Sequence, residues 1–246
     1  RRHLKNHKAN AAIDRLEVSL GINAIAAADV AVEAVAEVME VKHKVLGQLA
    51  AEMADDAILC TNTSSLSVTA MQTSTPNPER VVGMHFFNPV KKMPLVEIVR
   101  GEQTSDETVT RIAALSVALG KTPVVTRDVP GFLVNRLLGP YLDEAVRLFV
   151  EGVSPLRVDR LLVRFGMPMG PFTLLDEVGL DIAAHAAESL HEGYGARMAP
   201  TAALLGMMTP DRLGKKSGAG FYDHGRKGRR KKGSPTLMED LSGYQM

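Results

Sequence analysis

The sequence predicts an α/β chain in two parts: a doubly wound parallel sheet over residues 1–127, then an all-helical part over 128–224. Three observations predict it. Short β-branched runs alternate with stretches of helical periodicity through the first half, the pattern of a parallel sheet with helices on its faces. From Pro130 onward the periodicity is helical throughout, and no strand pattern returns until Gly220-Phe221-Tyr222. At 246 residues, 45% hydrophobic and 23% charged, the chain is long enough and apolar enough for two modest cores.

The elements follow in order. Residues 1–15 are polar and basic and read as the end of a helix. Leu16-Glu17-Val18-Ser19-Leu20 alternates as a short strand does, and Gly21 closes it. Asn23 is suited to cap a short helical turn reaching Ala28. Residues 29–35 form a near-continuous apolar run, as expected where both faces of a parallel sheet are covered. Over 38–53, Val41, Val45, Leu49 and Met53 share one helical face. A strand over 57–60 leads into the loop Thr61-Asn62-Thr63-Ser64-Ser65, a short helix over 68–72 and a turn at Pro76-Asn77-Pro78. Two apolar runs follow, 81–86 and 95–99. Then comes an amphipathic helix over 108–119, ended by Gly120, and a strand over 122–126. In the second half a helix opens at Pro130-Gly131 and runs to about Val150, with Pro140 tolerated at the cost of a kink. Further helices are predicted over 155–165, 171–178, 181–191 and 199–207. Residues 225–246 read as a basic, Gly-broken linker.

Charge and cysteine content narrow the function classes. Basic and acidic residues number 29 and 28, but Arg226, Lys227, Arg229, Arg230, Lys231 and Lys232 crowd one tail, leaving 23 against 28 elsewhere. A mildly acidic body argues against nucleic-acid binding. No apolar run approaches a membrane span. The single cysteine, Cys60, excludes an intramolecular disulfide and suits a reducing cytoplasm; its apolar surroundings mark it as core.

The chemistry concentrates in Val81-Val82-Gly83-Met84-His85-Phe86-Phe87-Asn88-Pro89-Val90 and Leu95-Val96-Glu97-Ile98-Val99. A glutamate flanked by four aliphatic residues is expected to be buried, and a buried carboxylate is costly unless paired. His85 is the evident partner. Such a pair fixes one ring nitrogen and makes the other a general base. On spacing alone the same residues also suit a core glutamate satisfied by backbone and a histidine on a loop. In a doubly wound sheet ligands bind at the carboxyl ends of the strands. Glu37, Ser64 and His85 all fall near such ends.

The motifs GMHFFNPV…LVEIV, TNTSSL, PGFLVNRLLGPYLDEA and GMPMGPFTLLDEVGLD, in this order, resemble the 3-hydroxyacyl-CoA dehydrogenases. The similarity runs from about Ala28 to Tyr222 and is strongest to the dehydrogenase part of multifunctional fatty-acid oxidation subunits. It implies a Rossmann-like sheet, NAD as cofactor, a 3-hydroxyacyl-CoA substrate, and assembly as a homodimer or within an oxidation complex. A short-chain 3-hydroxybutyryl-CoA dehydrogenase and a non-catalytic assembly module are the alternatives. By the same resemblance His85 is the catalytic base and Glu97 orients it. Ser64 bridges substrate and cofactor, and Asn135 contacts substrate. Val35, Ala36, Glu37, Lys42, Asn88 and Lys216 belong to the cofactor side. Without the resemblance each has a plainer reading: a helix cap for Ser64, turn chemistry for Asn88, solvated helix residues for Asn135 and Lys42, and a first-turn acid for Glu37.

The family's Gly-rich turn, which carries backbone amides to the pyrophosphate, has no counterpart in this sequence. Gly214 to Gly220 is Gly-rich, but no strand precedes it. Residues 1–127 therefore read as the later portion of an NAD-binding domain. Arg1 reads as the interior of a longer frame, and this stretch alone is expected to hold NAD weakly, which a fluorescence titration with NADH tests. His185 and His191 lack the i, i+4 spacing of a metal pair. Asp176 and Glu177 are expected to face solvent or cap the next turn.

Overall fold

A computed structural model describes residues 6–225 and 236–237, and these form two compact units. Of the described residues, the first comprises 6–63 and 68–125, and the second 64–67 and those from 126 onward. Much of the predicted basic linker lies outside the described residues.

In the first unit, α1 (Asn6–Ile13) precedes β1 (Val30–Glu33), α2 (Met39–Glu52), β2 (Ile58–Thr61), α3 (Val68–Gln72), β3 (Val81–Phe86), β4 (Leu95–Arg100) and α4 (Asp106–Ala118). With β5 (Thr122–Arg127) the strands make one sheet in the order β1-β2-β3-β4-β5. Strands β1, β2 and β3 are parallel, as expected of crossover connections through α2 and α3. Within this mostly parallel sheet, β4 runs antiparallel to β3. The link from Phe86 to Leu95 is too short for a crossover, so the chain must turn straight back. Ile58, Cys60, Val82, Met84, Ile98 and Ile112 form the core beneath the sheet.

Four expectations are corrected in this unit. Residues 16–20 are not a strand: they have no sheet neighbour, and Val18 is 95% exposed. The alternation is present, but nothing pairs with it. The helical turn spans Ile22–Ile25 and begins at Gly21, with Asn23 inside it rather than capping it. Strand β1 is not covered on both faces. It is the sheet edge, and a hollow of about 420 Å³ runs beside it, lined by Ile25, Val32, Val35 and Val45 among others. Of the predicted face of α2, Leu49 and Met53 are buried, but Val41 is exposed, and Lys42 and Leu46 point inward as well. An ion pair, described below, draws the lysine in. Where Ser105 caps α4, its hydroxyl accepts the Thr108 N–H at 3.1 Å.

The second unit holds α5 (Val134–Val150), α6 (Pro155–Phe165), α7 (Pro171–Val178), α8 (Leu180–Tyr194) and α9 (Ala202–Gly206). The short pair β6 (Tyr222–Asp223) and β7 (Thr236–Leu237) follows. Pro140 sits inside α5. Phe149, Phe172 and Phe221 meet edge to face at its centre. Asp176 does not face solvent, as was expected of it. It is buried in α7 and accepts hydrogen bonds from the Phe221 and Tyr222 N–H groups at 2.8 and 2.9 Å and from His224 Nε2 at 2.8 Å. Three donors in one place outweigh the preference of an isolated aspartate for water.

Candidate active site

Antiparallel pairing of β3 with β4 sets His85 directly opposite Glu97. Directly paired residues project from the same face of a sheet, so the side chains meet. The distance from Nδ1 to Oε2 is 2.7 Å, and both residues are buried. The Phe87 ring lies 4.6 Å from the imidazole, tilted by 52°, and shields one side of it. The Phe86 N–H donates to Asn62 Oδ1 at 2.9 Å, which ties the end of β3 to the loop after β2. Gly83 lets the two strands approach: a Cβ there would stand 2.6 Å from Val99 Cβ. With Nδ1 directed at Glu97, any proton exchanged by this imidazole would pass through Nε2, across the ring.

A second polar cluster sits at the carboxyl ends of β1 and β2. Lys42 Nζ donates to both Glu33 oxygens, at 2.9 and 3.1 Å, and pairs with Glu37 Oε2 at 3.2 Å. Thr61 Oγ1 donates to Glu33 Oε1, the Val35 N–H to Glu33 Oε2 at 3.1 Å, and Thr63 Oγ1 to Glu37 Oε1 at 2.6 Å. The Lys42 and Glu33 side chains are enclosed, whereas that of Glu37 is 33% exposed. Val35 and Ala36 are exposed next to it. Lys42, predicted on the cofactor side, thus meets the surface only through Glu37. Glu33, Thr61 and Thr63 were missed by the sequence reading. Glu33 carried a legible signal, since it stands in an apolar run just as Glu97 does.

Of the other predicted residues, Ser64 is exposed and belongs with the second unit. The Asn135 amide, at the start of α5, donates to the Ser64 carbonyl at 3.4 Å. The structure brings these two together. Asn88 is exposed after β3, before Pro89. Lys216 pairs with Asp181 of its own unit, and that hydrogen bond holds the Asp181 carboxyl below its ordinary value. Gly214 and Gly220 pack against Asp176, where a Cβ on Gly220 would fall 2.0 Å from Oδ1. That close approach accounts for glycine at both positions without a dinucleotide. Burial pushes the Cys60 thiol up to about 12, so it is no nucleophile. Among the described residues no helix is long and apolar enough to cross a membrane, and no cluster of His, Cys, Asp and Glu could hold a metal.

Residues 1–129 match the family model of the 3-hydroxyacyl-CoA dehydrogenase NAD binding domain, and residues 131–224 that of the 3-hydroxyacyl-CoA dehydrogenase C-terminal domain. The chain belongs to the 3-hydroxyacyl-CoA dehydrogenase family. It is 42% identical over 246 residues to a fatty acid oxidation complex subunit alpha of Idiomarina loihiensis, a match covering 99% of this chain and 34% of that protein. To the protein of the same name from Psychrobacter sp. it is 42% identical over 236 residues, covering 95% of this chain and 32% of the other. The chain thus spans about a third of the length of these relatives. Among solved structures it resembles 3-hydroxybutyryl-CoA dehydrogenase from Escherichia coli K12, with a TM-score of 0.86 and 39% identity over 92% of this chain and 49% of that one. It also resembles (S)-3-hydroxybutyryl-CoA dehydrogenase from Ralstonia eutropha, with a TM-score of 0.87 and 36% identity over 91% of this chain and 80% of that one.

Proposed function

We propose that the chain supplies the proton-transfer and substrate-contacting residues of an NAD-dependent oxidation of 3-hydroxyacyl-CoA to 3-ketoacyl-CoA. The observation that carries this reading is the buried 2.7 Å contact of His85 Nδ1 with Glu97 on paired strands. His85 Nε2 takes the proton of the C3 hydroxyl, and the Glu97 carboxylate behind the ring stabilises the imidazolium that forms. A bound nicotinamide would supply the acceptor for the hydride that leaves C3. Ser64 orients the substrate oxygen with its hydroxyl, and Asn135 supports both the Ser64 backbone and the acyl chain.

The rim after β1 fits a nicotinamide ribose. Glu37 offers a partly exposed carboxylate that Lys42 and Thr63 hold in place, and Val35 and Ala36 present backbone beside it. Asn88 and Lys216 complete the proposed cofactor contacts. In this reading residues 1–127 and 128–224 act as the cofactor-side and substrate-side domains. The protein works in the cytoplasm, as a homodimer or as part of a fatty-acid oxidation complex like those its relatives are named for.

The test is NADH formation from 3-hydroxyacyl-CoA by the complete gene product and by its His85→Gln variant. Loss of an acid–base group of this kind costs roughly 10²–10⁴ in rate. Equal rates for the two proteins would refute the reading.

A further inference from the structure

We infer that Glu33 is a positioning residue for cofactor binding, acting through Lys42 and the Val35 amide to fix the rim at Glu37. The inference rests on the function proposed above, and nothing in the family match assigns Glu33 a part. Its carboxylate is 4% exposed and accepts four hydrogen bonds: two from Lys42 Nζ, one from Thr61 Oγ1 and one from the Val35 N–H. The set links three elements, β1, β2 and α2, at the end of the sheet where ligands bind.

The direction of the coupling follows from exposure. Lys42 is wholly enclosed, so its ammonium reaches a ligand only by orienting Glu37, whose side chain is partly open. Glu37 on its own is a flexible carboxylate in the first residues after a strand. Held by Lys42 on one oxygen and Thr63 on the other, it presents a fixed edge. Glu33 in turn keeps Lys42 in place, because an ammonium buried with one carboxylate instead of two is less well compensated. Through the Val35 N–H, Glu33 also fixes the backbone that leads to Ala36 and Glu37.

The experiment compares wild type, Glu33→Gln, Lys42→Met and the double variant in the complete gene product. NADH dissociation constants come from fluorescence, KM for NAD and for acyl-CoA from steady-state rates, and amide hydrogen exchange is measured over residues 33–38. Glu33→Gln should weaken NADH binding roughly tenfold, the worth of one charge-assisted hydrogen bond. It should raise KM for NAD far more than KM for acyl-CoA, and it should speed exchange at Val35. In the Lys42→Met background the effect of Glu33→Gln on NADH binding should largely vanish, since the two act in series.

A purely structural Glu33 would lower the active fraction and the melting temperature but leave both KM values alone, and that result overturns the inference. So does full additivity of the two substitutions. Should Glu33→Gln fail to fold, Glu33→Asp keeps the charge one methylene short, and it should show the same NAD-selective loss at smaller size. Absence of NADH formation by wild type would refute the parent reading. An active wild type with unchanged NAD affinity in Glu33→Gln would refute this inference alone.

Discussion

Replacing Glu97 by glutamine changes the charge behind His85 without changing the shape. The amide still reaches Nδ1, but it no longer favours the imidazolium, and its NH2 face competes for the wrong tautomer. Glu97→Gln is expected to lower kcat by about 10²-fold or more, with little change in either KM, as steady-state rates will report. Cys60 gives a residue-scale prediction of the opposite kind. With its thiol pushed up to about 12, only on the order of one molecule in ten thousand carries thiolate at pH 8. A folded pKa raised above the unfolded one contributes stability below the ordinary thiol value, and that contribution fades as pH climbs toward the folded value. Aromatic-disulfide reagents should therefore label Cys60 only at the unfolding rate, and more readily above pH 9. Glu97 was legible because aliphatic residues flank it on both sides. The same signal at Glu33 went unread because Lys42, its partner, looked solvated on a helix whose apolar stripe pointed elsewhere.

At the scale of elements, two aspartates do for the helical unit what backbone pairing does for the sheet. Asp159 in α6 accepts from the Phe172 and Thr173 N–H groups at 2.9 and 3.0 Å, so it satisfies the first amides of α7 from outside that helix. It also takes the Tyr222 hydroxyl at 3.0 Å. Asp176, in α7, pins Phe221 and Tyr222. Asp159→Ala would strand several buried donors at about 1–3 kcal/mol each, so denaturant melts should show a loss of at least about 3 kcal/mol. Burial pushes the Asp176 carboxyl up, against the hydrogen bonds from His224, Phe221 and Tyr222 that pull it down. Its contribution to stability is therefore complete below the ordinary carboxylate value, about 4, and declines as pH rises through the folded value. Wild type should lose stability relative to Asp176→Asn as pH is raised from about 4 toward 7, in melts followed by circular dichroism. Helices 155–165 and 171–178 carry local signals, with Pro at the first turn and Gly after the last. The aspartates were not legible, because their donors come from residues up to 63 positions away, which no local pattern encodes. Residues 16–20 mislead for a related reason: alternation marks a segment able to be a strand, but pairing needs a neighbour.

At the scale of the whole molecule, each unit has a core of its own among the described residues. One is built from Ile58, Val82, Met84, Ile98 and Ile112, the other from Phe149, Phe172, Leu175 and Phe221. In the sequence the texture changes near residue 128, where strand runs give way to helical periodicity. The assignment of residues 64–67 to the second unit was not legible, since those four follow a strand of the first without any break in composition. Separate cores should give separate responses to damage. Phe172 is fully buried between Phe149 and Phe221, so Phe172→Ala removes both edge-to-face contacts and leaves a cavity, at a cost of about 3–5 kcal/mol. That loss falls on amides whose protection depends on the aromatic core. Native-state hydrogen exchange should quicken through α5 to α8 while amides of β2, β3 and β4 keep their wild-type rates. Ile98→Ala should do the reverse, and it should also disturb activity, because Ile98 neighbours Glu97 in β4. Equal acceleration in both units after either substitution would mean that they unfold as one cooperative body. In that case the effects of Asp159→Ala and Asp176→Asn would also extend to His85.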